Sequence, residues 1–187
     1  MSHAEVEARV ALHQTVQSVV ERLNEVGINF LAIDFDKTLV SKHTEGKKFD
    51  VGGLVPHLRP LFSELVPRAI ESGICVAIVT FSPEVASIRD FLGVSFPAVA
   101  DQIPIRGGDS SWQYTGAGVD RRKQPHMASA VEELTHVEGV TITRRSTLLI
   151  DDDPKNVATA LNSGVKAIMM DVKDPDLTAA QMLELEA

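Results

Sequence analysis

The chain has 187 residues, enough for one domain with its own core, and 44% of them are hydrophobic. Eighteen lysines and arginines against 26 aspartates and glutamates leave a net charge of −8, which argues against a general attraction to nucleic acid or to an anionic membrane. Cys75 is the only cysteine, so no disulfide framework exists, and no apolar run approaches the ~18 residues of a membrane span.

The charged opening stretch MSHAEVEARVALHQ lacks the apolar core of a secretory signal, so a cytoplasmic location is expected, or a nuclear one in a eukaryote. Leu12, Val16, Val19, Leu23 and Val26 recur at three- and four-residue spacing, and Gly27 follows. This predicts an amphipathic helix over roughly 4–26, with residues 1–27 packing on their own domain. The same stripe offers a route to a homodimer. Aliphatic runs without period-two alternation follow at 29–34 (NFLAID), 74–80 (ICVAIVT), 146–151 (STLLID) and 165–170 (VKAIMM), as expected of strands covered on both faces. Helical stretches fall near 56–72, 82–92, 124–136, 154–163 and 175–186, the first split or irregular because of Pro60 and Pro67. The alternation predicts an α/β chain, a Rossmann-like three-layer sandwich around a mostly parallel sheet. Residues 40–55 and 106–122 read as loops, each too short for a second domain, so 1–187 reads as one domain.

Open parallel sheets bind ligands beyond the carboxyl ends of their strands. The first run ends in Asp34 and Asp36, the second in Thr80, and the third in DDDPKN, residues 151–156. Lys123 opens the helix before the third run. So many carboxylates at one edge repel each other unless a hard cation joins them, and oxygen-only ligands suit Mg²⁺, which commonly adds a substrate phosphate. Two acids two residues apart also suit a division of labour, one attacking phosphorus while the other moves the proton. Asp153 before Pro154, and Ser82 before Pro83, read as helix N-caps with proline at the first helical position.

Four stretches resemble the haloacid dehalogenase superfamily of aspartate-nucleophile phosphotransferases, in the superfamily's order: LAIDFDKT (31–38), AIVTFS (77–82), RKQPHM (122–127) and LLIDDDPKN (148–156). The resemblance spans residues 30–156 and implies a HAD-like fold and a Mg²⁺-dependent phosphatase. It implies Asp34 as nucleophile and metal ligand, and Asp36 as proton donor and then base, with its backbone carbonyl on the metal. Thr38 would brace that loop, Thr80 bond the phosphoryl group and Lys123 neutralise it. Asp152 would complete the metal shell, with Asp151 and Asn156 in support. Phe35, Phe81 and His43 join Thr38, Thr80 and Lys123 as candidate substrate contacts. Pro125 favours Lys123 over its basic neighbours Arg121 and Arg122. His43, with Lys42, Lys47 and Lys48, reads as a basic rim or a plain polar loop, and Trp112 and Tyr114 as a site wall or a loop anchor.

Asp34 and Thr80 stand 46 residues apart, and Thr80 and Lys123 stand 43 apart, too close for a full cap domain in either interval. An open site implies a bulky phosphorylated substrate, a protein or a nucleic-acid end, unless a neighbouring copy closes it over a small molecule. Two other readings stand beside hydrolysis: a phosphotransferase or phosphomutase, and a scaffold that binds a phosphorylated ligand without turnover. A receiver-type phospho-acceptor domain is excluded, because there the acid pair precedes the lysine.

Overall fold

The computed structural model describes residues 2–116, 122–174 and 176–187, so part of the 106–122 stretch, including Arg121, lies outside the described residues. Five strands, β1 (Phe30–Ile33), β2 (Cys75–Val79), β3 (Ile105–Arg106), β4 (Thr147–Asp151) and β5 (Lys166–Met169), lie in one sheet among the described residues. All pairings are parallel, in the order β3-β2-β1-β4-β5. The helices are α1 (His3–Glu25), α2 (Val51–Leu54), α3 (Pro60–Glu71), α4 (Val85–Ser95), α5 (Gln124–Glu138), α6 (Pro154–Asn162) and α7 (Asp176–Leu183).

Both faces of the central strands are buried, which is why their sequences run apolar without alternating. Leu31, Ile33, Val76, Ile78, Leu148 and Ile150 point into a core shared with α1, α3, α4 and α7. Phe30, Ala32, Ala77, Val79 and Leu149 point the other way, onto Met127, Ala130 and Leu134 of α5 and Ala160 of α6. The result is an α/β three-layer sandwich. Val16, Val19, Val20 and Leu23 bury one face of α1, which packs against α3 and α7. Among the described residues no helix is long and apolar enough to cross a membrane.

Three local expectations need correction. The 106–122 stretch begins in β3, whose two residues are too short to show as a periodic run. The 40–55 stretch contains α2, capped by the Asp50 carboxylate on the Gly53 amide. Ser82 does not cap a helix with Pro83 at its first position: its hydroxyl accepts the Glu84 amide one turn early, and α4 starts at Val85. The split expected near the prolines falls ahead of Pro60, which opens α3, whereas Pro67 lies inside that helix. At Asp153 the cap and the following Pro154 are both present, with the carboxylate accepting the Lys155 amide.

From β1 the chain steps outward to β2 and β3, then returns through α5 to β4 on the other side of β1. The direction of winding therefore reverses between β1 and β4. Such a reversal opens a crevice at the carboxyl ends of those two strands.

Candidate active site

The crevice is a cleft of about 490 Å³ lined by Asp34, Asp36, Lys37, His43, Thr80, Phe81, Asp151, Asp152 and Asn156, among others. Parallel register delivers these residues. Ile33 is level with Ile150 of β4 and Ile78 of β2, so Asp34, Asp151 and Thr80 emerge at one rim. The Asp34 amide donates to the Ile150 carbonyl at 2.9 Å, carrying the ladder one residue past β1. Beyond Asp34 the chain turns tightly: the amides of Leu39 and Val40 donate five residues back, to the carbonyls of Asp34 and Phe35. Lys37 takes a positive φ of 59° within that turn, and the buried Arg59 holds the Lys37 carbonyl at 2.9 Å.

Lys123 is 1% exposed, and its ammonium donates to Asp34 Oδ1 at 2.6 Å and to the Val79 carbonyl. Asp151 Oδ2 lies 3.8 Å from the same nitrogen, and the Phe81 ring sits 4.6 Å over it. The neighbouring Arg122 is exposed and pairs with Asp153 at the surface. Burial separates the two basic residues.

Asp34, Asp151 and Asp152 each offer a carboxylate oxygen within 4.8 Å of the others, so together they can hold a metal ion. A Mg²⁺ ion with bonds of ~2.1 Å keeps its ligands no more than ~4.2 Å apart, so modest side-chain movement lets these oxygens share one. Electrostatics point the same way. Burial, reinforced by Asp151 and Asp152, outweighs the pull of Lys123 and leaves the Asp34 carboxyl raised to about 7. Burial also raises Asp151, against Lys123, and raises Asp152, with Asp151 reinforcing it. A cluster in which three acids all resist ionisation is short of positive charge. Asn156 donates to both Asp151 oxygens, at 3.0 and 2.9 Å, so its amide steadies that carboxylate.

Asp36 stands apart from this cluster. Its carboxylate accepts the Thr44 amide at 2.9 Å and the Thr44 hydroxyl at 3.0 Å, and His43 Nδ1 lies 3.2 Å away. Thr80 is buried on the cleft wall, its hydroxyl accepting the Ser82 amide at 3.1 Å. Thr38 is fully buried and its hydroxyl has no hydrogen-bond partner among the described residues. Phe35 does not reach the cleft: it is fully buried, stacked on Phe49 and edge-on to Phe91, because the turn after Asp34 points it into the core. Phe81, 48% exposed, is the aromatic that borders the cleft. On the loop side the wall is made by Lys37, His43, Glu45 and Gly46 rather than by Lys42, Lys47 and Lys48, and Lys47 pairs with Glu45.

Trp112 acts as a loop anchor. Its indole donates to the Gly107 carbonyl and its ring tilts onto His126 at 4.6 Å, while Phe81 meets His126 edge-on at 5.3 Å. His126 is buried, and that burial beside Lys123 lowers its pKa to about 4. The sequence did not single out Thr44, Lys37, Arg59 or His126. Their contribution depends on where turns with positive φ aim the chain, and periodicity carries no signal for that.

The chain matches no protein-family model, and no curated protein matches it. It does superimpose on a crystal structure of the N-terminal part of the protein BF1531 from Bacteroides fragilis, containing a phosphatase domain complexed with Mg. The TM-score is 0.55 and the identity 16%, over 91% of this chain and 43% of that one. At that identity the likeness is one of fold: a Rossmann-like α/β sandwich shared with a phosphatase domain. The chain spans less than half the length of that structure.

Proposed function

We propose that the chain is a Mg²⁺-dependent phosphomonoester hydrolase of the haloacid dehalogenase type, working through a phosphoaspartate on Asp34. The observation that carries this reading is a buried lysine 2.6 Å from Asp34 and 3.8 Å from Asp151, two of three carboxylates able to share a metal ion. The Mg²⁺ in the BF1531 phosphatase domain, which has the same fold, supports it. Asp34, Asp151 and Asp152 would hold the ion, whose charge would offset that of the bound phosphate.

In this reading an Asp34 carboxylate oxygen bonds to phosphorus as the ester P–O bond breaks, and Asp36 gives its proton to the departing oxygen. Water then attacks phosphorus and passes a proton back to Asp36. The bond to Asp34 breaks and inorganic phosphate leaves. Lys123 meets the negative charge that builds on phosphate and nucleophile, and Thr80, next to the Val79 carbonyl that Lys123 holds, supplies a hydroxyl. The cleft is bordered by the loop at 41–50 and by the segments after β2 and β4, rather than by a second folded unit among the described residues, which favours a bulky phosphorylated substrate.

The test is hydrolysis of an aryl phosphate in the presence of Mg²⁺. Turnover is expected to vanish with a chelator and in Asp34→Asn, and Asp36→Asn should slow it by roughly 10² or more while phosphate still binds. Turnover that survives Asp34→Asn would remove the nucleophile. Tight phosphate binding with no turnover would favour a scaffold instead.

A further inference from the structure

One carboxylate in the cleft is gripped by a loop. Both oxygens of Asp36 accept hydrogen bonds from Thr44, one from the amide at 2.9 Å and one from the hydroxyl at 3.0 Å, and His43 Nδ1 lies 3.2 Å from Oδ2. The partners are eight residues on in sequence, so this is not the local turn an aspartate makes with its own backbone. The loop is fastened so that Thr44 faces the acid. The Lys37 amide donates to the Lys42 carbonyl at 3.1 Å, and the Ser41 amide to the His57 carbonyl at 2.8 Å. Glu45 and Gly46 both take positive φ, and the site of a Cβ on Gly46 would lie 3.3 Å from Pro83, at the far side of the cleft.

We propose that Thr44 is a positioning residue for Asp36, fixing the carboxyl group at the distance from Asp34 that proton transfer to the leaving oxygen requires. The proposal rests on the phosphatase reading above. Thr44 suits the task because a hydroxyl both donates and accepts, so the grip holds whether or not the acid carries its proton. A grip by amides alone would offer the protonated acid no acceptor. The same contacts hold the Asp36 side chain on the loop side, apart from the three-acid cluster.

A loop staple and a positioning residue make different predictions about leaving groups. A nitrophenolate departs without a proton, whereas an alkoxide needs one in the transition state. Thr44→Val keeps the shape and the amide but loses the hydroxyl, and Thr44→Ser keeps both donors. With 4-nitrobenzyl phosphate, Thr44→Val is expected to lower kcat/KM, which reports the step that expels the alcohol and not the later attack of water, roughly 10- to 100-fold. With 4-nitrophenyl phosphate the drop should be at least tenfold smaller, and Thr44→Ser should restore both. Equal losses on the two esters would overturn the proposal. Crystal structures of the two variants give a readout that needs no turnover. The Asp36 carboxylate is expected to leave its place in Thr44→Val and keep it in Thr44→Ser, and an unmoved carboxylate in Thr44→Val would overturn the proposal. If the wild type hydrolyses neither ester, the phosphatase reading fails, and the structures alone decide whether Thr44 places Asp36.

Discussion

Asp34 is held out of water beside one lysine and two further acids, and its proton affinity has consequences that reach beyond catalysis. Burial, with Asp151 and Asp152 behind it, outweighs Lys123, so the carboxyl titrates at about 7 rather than 3.8. Between those values the metal-free fold keeps a proton that the unfolded chain has released, so this group's contribution to stability falls as pH rises from about 4 to about 7, then levels off. In denaturant titrations of chelated protein, the wild type should lose stability relative to Asp34→Asn between about pH 4 and about pH 7. Parallel curves would contradict the raised pKa. Mg²⁺ needs the ionised form, so its affinity should weaken below pH 7 by up to ~tenfold per pH unit for each proton displaced. Isothermal titration across that range reads the slope. At this scale the sequence revealed which acids and which lysine matter, because their types and order carry the chemistry. It did not reveal that Thr44 would grip Asp36, or that Phe35 would turn inward. Both follow from the turn after Asp34, where Lys37 adopts a left-handed conformation that its side chain does not announce.

The site depends on how closely two loops approach each other. Gly107 and Gly108 follow β3 and press on the segment after β2, where the Gly108 amide donates to the Ser82 carbonyl at 2.9 Å. A Cβ on Gly108 would fall 2.2 Å from the Phe81 carbonyl oxygen, and one on Gly107 would fall 2.3 Å from the Val85 side chain. Gly108→Ala therefore forces backbone apart next to Thr80. Overpacking of this kind costs on the order of 1–3 kcal/mol, or about 2–10 °C in Tm for a chain of this size. Phosphate affinity should fall together with Tm, and a normal KM in a folded Gly108→Ala protein would show that Thr80 tolerates the shift. The long elements were legible because β1, β2 and β4 are solid apolar runs and α1 carries a clear stripe. β3 was not, since two residues between Pro104 and Gly107 show no period. The four-residue α2 escaped for the same reason.

Across the molecule, one topological fact gathers the site. Winding reverses between β1 and β4, so residues near positions 34, 80, 123 and 152 meet at one rim although 118 positions separate the first from the last. The two cores on either face of the sheet hold that rim rigid, and the grip on Asp36 and the loop packing near Phe81 shape its walls. The central claim is that this rim holds Mg²⁺ and a phosphoryl group on Asp34. A crystal structure with Mg²⁺ and beryllium fluoride, a mimic of the phosphoryl group, tests it most directly. Fluoroberyllate is expected bonded to an Asp34 oxygen, with Lys123 against its fluorines and an ion bound by Asp34, Asp151 and Asp152 at ~2.1 Å. An empty rim at saturating ligand, or an ion bound away from Asp34, would contradict it.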